Sequence, residues 1–159
     1  MKVLFVCTGN TCRSPMAQVI FTNLCKKHKR KGVKVASAGI FTRNGIPQMG
    51  TGVEALIATG EKLGKTTIKS TQFLPAMIKK YDFIVTMSAE HAMYIRGMQL
   101  GWSESEIKSV AQIGSLHEFV GCGDISDPFG GNKDVYITCC EQLKEALELL
   151  YKKILNGDR

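Results

Sequence analysis

The segment Cys7-Thr8-Gly9-Asn10-Thr11-Cys12-Arg13-Ser14 sets a thiol and a guanidinium six residues apart, with small and polar residues between them. In a chain with six cysteines such a pair also arises by chance, so its position carries the weight. It follows a near-continuous apolar run, Lys2–Cys7, and opens a helical pattern. Backbone N–H groups in such a loop converge on one point, where the helix dipole also favours negative charge. Gly9 permits close backbone approach, and Arg13 can fork two donors onto phosphate oxygens. Thr8, Asn10, Thr11, Cys12 and Ser14 complete a cradle for a tetrahedral dianion. The same positive field favours the thiolate of Cys7. A nucleophile beneath a bound phosphoryl group is what covalent phosphoryl transfer requires. A merely buried Cys7 would leave the Gly, Asn, Arg and Ser at these offsets unexplained.

The elements that must hold this loop read as alternating strands and helices. Lys2–Cys7 has the pattern of a strand covered on both faces. Ser14-Pro15 looks like a helix start, and Met16, Val19, Ile20 and Leu24 keep helical spacing toward a basic end, Lys26–Lys31, closed by Gly32. Val33–Ala38, Asp82–Met87 and Ser109–Ile113 read as further strands. Val53–Leu63, Gln72–Lys80 and Ala89–Leu100 read as helices, and Gly114–Lys133 as a long Gly-rich loop. Val135, Cys139, Leu143, Leu147, Leu150 and Ile154 mark one face of a last helix. The order predicts a single α/β domain over residues 1–159, with a four-stranded parallel sheet and helices on both faces. In such sheets ligands bind beyond the carboxyl ends of the strands, which directs attention to the loops after the first and fourth strands.

With 159 residues, 44% hydrophobic and 22% charged, the chain can bury a core. No run approaches the roughly 18 apolar residues of a membrane span, and the N-terminus has no secretory pattern. Reduced thiols in the cytoplasm follow as the expectation. Cys25, Cys139 and Cys140 read as core; Cys122, in the long loop, is left open. The cysteines and His28, His91 and His117 form no metal-ligand spacing. The net charge of +7 rests partly on Lys26–Lys31, which has no interleaved aromatics and reads as a solvated helix end rather than a nucleic-acid surface.

Cys7–Ala17 resembles the phosphate loop of the low-molecular-weight protein tyrosine phosphatases. The likeness extends to Ser37-Ala38-Gly39, Thr86-Met87 and Asp127-Pro128-Phe129-Gly130-Gly131, covering essentially the whole chain in order. The resemblance implies Cys7 as nucleophile and Arg13 as the clamp on phosphate and transition state. It implies that Asn10 holds the strained loop with support from Ser37, and that Ser14 hydrogen-bonds the thiolate. It assigns the general acid to Asp127 over the competing Asp124, although Asp127-Pro128 by itself reads more readily as an ordinary turn starter. No metal or cofactor is implied, because Arg13 and the amides carry the transition-state charge.

Two positions speak to the substrate. Tyrosine-specific members usually carry a bulky aliphatic residue where this chain has Thr11, and paired aromatics after Asp-Pro, where it has Phe129 and then glycines. The combination is similar to the bacterial protein arginine phosphatases of this family, which predicts a monomer acting on phosphoarginine in proteins, away from membranes and nucleic acids. Phosphotyrosine is the alternative. Arsenate reductases of the same fold need a further redox pair, and there is no cysteine between Tyr81 and Gly121. Non-catalytic phosphocarrier modules lack the distal Asp. Many members have a His within the segment matching Leu63–Thr67 to buttress Asn10; here Thr66 or Thr67 is the candidate substitute. Cys12, five residues from Cys7, is a candidate redox guard that captures oxidised Cys7 as a disulfide. Tyr136 either rims the pocket or begins the last helix.

Overall fold

Four strands, β1 (Lys2–Cys7), β2 (Lys34–Gly39), β3 (Phe83–Thr86) and β4 (Gln112–Ser115), form one parallel sheet in the order β2-β1-β3-β4 in a computed structural model describing residues 1–156. β1 lies centrally, and its alternation splits the core into two halves. Val3, Phe5 and Cys7 face α1 (Arg13–Lys27), α2 (Gly50–Ala58) and α6 (Lys133–Leu155), while Leu4 and Val6 join Ile78 and Ile95 in a separate cluster. Ile95 belongs to α3 (Ala89–Gly97), and Ile78 to a short 3₁₀ helix, Pro75–Lys79. The fold class is the one the sequence order predicts. Register pairs Cys7 with Gly39, Val6 with Thr86, and Thr86 with Ser115, so the strand ends and their loops gather at one edge.

Element boundaries depart from the sequence expectation for identifiable reasons. α1 starts at Arg13, so Ser14 lies inside it and is not its cap; the position before it, Cys12, makes no side-chain cap bond. The helix ends at Lys27, Lys29 takes a left-handed conformation, and the exposed basic residues mostly follow the helix rather than finish it. α2 stops at Ala58 because left-handed Gly60 turns the chain away. Pro75 confines the segment expected over Gln72–Lys80 to its short 3₁₀ helix. β4 begins three residues later than expected, because α4 (Glu104–Lys108) takes up the preceding chain. Its start is a reciprocal cap between Ser103 and Glu106, a Ser-x-x-Glu signal present in the sequence. The expected Gly114–Lys133 loop contains the end of β4 and then α5 (Leu116–Val120). In α6 the buried residue of the first turn is Tyr136, while Val135 is largely exposed. Cys25, Cys139 and Cys140 are buried and Cys122 is exposed.

Candidate active site

The loop between β1 and α1 is held by its own side chains and by the end of β2. Cys7, 2% exposed, lies with its Sγ 2.9 Å from Ser14 Oγ, and it accepts a hydrogen bond from the Asn10 N–H at 3.3 Å. Both contacts place polar hydrogens within reach of the sulfur. Asn10 has φ 55°, a left-handed conformation that asparagine tolerates better than most residues, and it is fully buried. Its amide donates to Ser14 Oγ at 2.8 Å and accepts from the Thr71 N–H at 2.9 Å. Thr71, just before the chain crosses to Gly39, therefore provides the buttress expected from Thr66 or Thr67. Ser37 does not support Asn10: its hydroxyl donates to Gln18 Oε1 at 2.6 Å. Ser14 Oγ also lies 3.4 Å from the Ala38 carbonyl of β2, the acceptor for its single proton whenever that proton is not on Cys7.

The loop sits close against the strand beside it. The N–H groups of Ile40 and Phe41 donate to the carbonyls of Cys7 and Thr8, and that of Met49 to Thr11. A Cβ on Gly39 would lie 2.8 Å from the Thr8 carbonyl oxygen and 3.0 Å from Asn10, so only glycine fits there. On the inner side, the backbone N–H groups of Gly9, Thr11, Cys12 and Arg13 donate to no acceptor among the described residues. Amides so placed at the head of a 15-residue helix suit an anion.

Arg13 is buried at 6% exposure and braced from two sides. Its Nη1 donates to the Ile125 carbonyl at 3.0 Å and its Nη2 to Thr8 Oγ1 at 3.5 Å, while Nε has no partner among the described residues. Ile125 is in turn fixed by its N–H on the Met87 carbonyl. Asp127 Oδ2 lies 3.5 Å from Arg13 Nη2, and Oδ1 accepts the Phe129 N–H, an Asp-led turn that aims the carboxylate back at the loop. A hollow of about 220 Å³ is lined by Cys7, Gly9, Thr11, Arg13, Asp127 and Phe129 among others. The Cys7 thiol and the Arg13 guanidinium, neighbours in one loop, thus share a small cleft with the Asp127 carboxylate from over a hundred residues away.

Two residues complete the surroundings. Tyr136 begins α6 and also reaches the site, its hydroxyl 3.3 Å from Cys12 Sγ. Burial pushes both the Cys12 thiol and the Tyr136 hydroxyl up, so both keep their protons at neutral pH. His91 of α3, which forms no metal-ligand spacing in the sequence, reaches the loop: its Nε2 lies 2.9 Å from Thr8 Oγ1 and its Nδ1 3.0 Å from Ser88 Oγ. Burial and the neighbouring Arg13 lower its pKa to about 4. A histidine in the first turn of a helix carries no sequence mark of a contact with Thr8.

The family model for low molecular weight phosphotyrosine protein phosphatases matches residues 2–158. The chain belongs to that family. A protein-arginine-phosphatase of Bacillus subtilis is 33% identical over the full length of both chains. The low molecular weight protein-tyrosine-phosphatase PtpB of Staphylococcus aureus is 38% identical over 90% of this chain and 91% of its own. Among solved structures, a mutant of the arginine phosphatase YwlE with a phosphorylated active-site serine superposes with a TM-score of 0.83 at 32% identity, covering 100% of this chain and 98% of that one. The chain is therefore a phosphatase of this family, and relatives named for two different substrates match it about equally well. No helix of the described residues is long and apolar enough to cross a membrane.

Proposed function

We propose that this phosphatase removes phosphate from phosphoarginine in proteins. Phosphate enters the cradle with its oxygens on the free amides of residues 9 and 11–13 and on Arg13. Cys7 Sγ attacks phosphorus in line, the P–N bond breaks, and Asp127 gives its proton to the departing guanidine nitrogen. A water that returns its proton to Asp127 then cleaves the S–P bond, releasing inorganic phosphate and the Cys7 thiolate. Ser14 and the Asn10 N–H stabilise that thiolate as a leaving group. Asn10 keeps the loop in its left-handed turn, and Phe129 flanks the entering side chain.

The observation that carries the choice of arginine is the wall after Asp127. Gly130 has φ +81°, and a Cβ on Gly131 would lie 2.8 Å from the Val135 side chain and 3.0 Å from the Pro128 carbonyl. A second aromatic is therefore strained at 130 and blocked at 131, so Phe129 stands as a single aromatic wall. A phenyl ring gains from being held between two rings, whereas a planar guanidinium gains from one ring and a nearby carboxylate. Thr11, half-buried and lining the same hollow, offers a hydroxyl and methyl where an aliphatic residue would suit a phenyl face.

Rates on a phosphoarginine protein and a phosphotyrosine peptide, measured side by side for wild type and Thr11→Ile, test this. Wild type should prefer phosphoarginine and Thr11→Ile should shift the ratio toward phosphotyrosine. A wild type that prefers phosphotyrosine overturns the arginine assignment.

We further propose that Cys12 guards Cys7. Peroxide converts the Cys7 thiolate to a sulfenic acid, Cys12 displaces its oxygen as water, and a Cys7–Cys12 disulfide forms that thiols reduce.

A further inference from the structure

Thr8, Arg13, His91 and Ser88 make a line of contacts leading away from the phosphate cradle. Arg13 Nη2 donates to Thr8 Oγ1 at 3.5 Å, and Thr8 Oγ1 lies 2.9 Å from His91 Nε2. With the threonine oxygen accepting from the guanidinium, its own proton points to Nε2. That fixes the imidazole as the tautomer protonated on Nδ1, which donates to Ser88 Oγ at 3.0 Å. Ser88 is itself anchored, because Thr86 Oγ1 donates to its carbonyl at 2.7 Å. The protons from Arg13, Thr8 and His91 all point away from the cation, and the line ends on Ser88, which Thr86 of β3 holds in place.

From this geometry we infer that His91 is a positioning residue for phosphate binding, which orients the Thr8 hydroxyl and through it the Arg13 guanidinium. The inference rests on the role proposed above for Arg13 and adds to it the residue that sets the direction of that side chain. Three observations support it. His91 is buried at 8% exposure, so its ring is held in one place beside Thr8, which is itself exposed. Arg13 has one terminal nitrogen on the Ile125 carbonyl and the other toward Thr8, which leaves Nε free for a ligand. A neutral imidazole in this place adds no second positive charge beside Arg13, as its lowered pKa requires. Without His91, the Thr8 hydroxyl can turn its proton toward Arg13, and two donors then face each other.

The test is a double-mutant cycle read on phosphate rather than on protein substrate. Turnover of p-nitrophenyl phosphate and inhibition by inorganic phosphate are measured for wild type, Thr8→Val, His91→Ala and the double variant, with His91→Gln as conservative replacement. His91→Ala should weaken phosphate inhibition and lower kcat/KM by about tenfold each, about the loss of one charge-linked hydrogen bond. His91→Gln, whose amide can still reach Thr8, should recover most of that loss. The double variant should be no worse than Thr8→Val alone. Additive losses, or a His91→Ala that loses thermal stability while phosphate inhibition stays unchanged, overturn the inference. An Arg13→Lys control separates the two levels: if it is undamaged the parent reading fails, and if it is damaged beside additive losses only the role of His91 fails.

Discussion

The two halves of the cleft are built on opposite terms. In the phosphate loop, Cys7, Asn10 and Arg13 are 2%, 1% and 6% exposed, and each polar side chain is tied to a strand or a neighbouring loop. In the acid loop, the Asp127 side chain is 52% exposed and Phe129 69%, with one turn hydrogen bond and one long ion pair holding the carboxylate. Preorganised donors act on charge that develops at phosphorus, and their value depends on having nothing left to rearrange. Asp127 as the proposed acid has instead to meet a leaving group that arrives on a protein surface, so exposure suits it. The buried half handles a group common to every phosphoester and phosphoramidate, and the open half handles what differs among them.

Damage to the buried half should be large and independent of the leaving group. Arg13→Lys keeps the charge but loses the fork, and kcat/KM should fall by about 10³-fold on protein and small-molecule substrates alike. A loss confined to protein substrates would break the contrast between the halves. Gly39→Ala drives a Cβ into the Thr8 carbonyl and should cost about 1–3 kcal/mol in a denaturant titration, with a fall in activity that follows the displaced loop. An unchanged midpoint would show that the loop has slack.

The smallest effect is a pH dependence set by His91. Its pKa is lowered from 6.5 to about 4 by burial and Arg13, with Asp127 and Asp124 opposing the shift. Between those values the unfolded chain binds more protons, so stability rises with pH across this window and is complete above about 6.5. As pH falls from 6.5 to 4, wild type should lose stability more steeply than His91→Gln in parallel urea titrations. Equal slopes would mean that His91 titrates freely. Recovery from peroxide sharpens the redox reading in the same way: Cys12→Ser should regain less activity than wild type after thiol treatment, and equal recovery removes the guard.

Much of the buried half was legible in the sequence because it is local. Cys7 to Ser14 form one strand end, one turn and one helix start, so spacing alone brings thiol, guanidinium and amides together. The same local reading assigned Ser14 to a helix cap, when its hydroxyl is spent on Cys7, Asn10 and Ala38 instead. Asp127 needed the family likeness, since its partner Arg13 lies over a hundred residues away and an Asp-Pro pair starts many turns. Thr71 and His91 were missed for a related reason. One acts through its backbone, which any residue supplies, and the other through a pairing with Thr8 that only the β1–β3 register creates. The α4 start is written in the sequence as Ser103-x-x-Glu106, and the helix it opens is what moves the start of β4 to Gln112.

The division of labour is tested most directly by rapid quench of Asp127→Asn, following phosphate on Cys7. With p-nitrophenyl phosphate, whose leaving group needs little protonation, the phosphocysteine should form within about tenfold of the wild-type rate. With a phosphoarginine protein its formation should fall by about 10²–10⁴-fold, the range for loss of a general acid. Equal losses on both substrates, or phosphate trapped on a residue other than Cys7, would contradict the account.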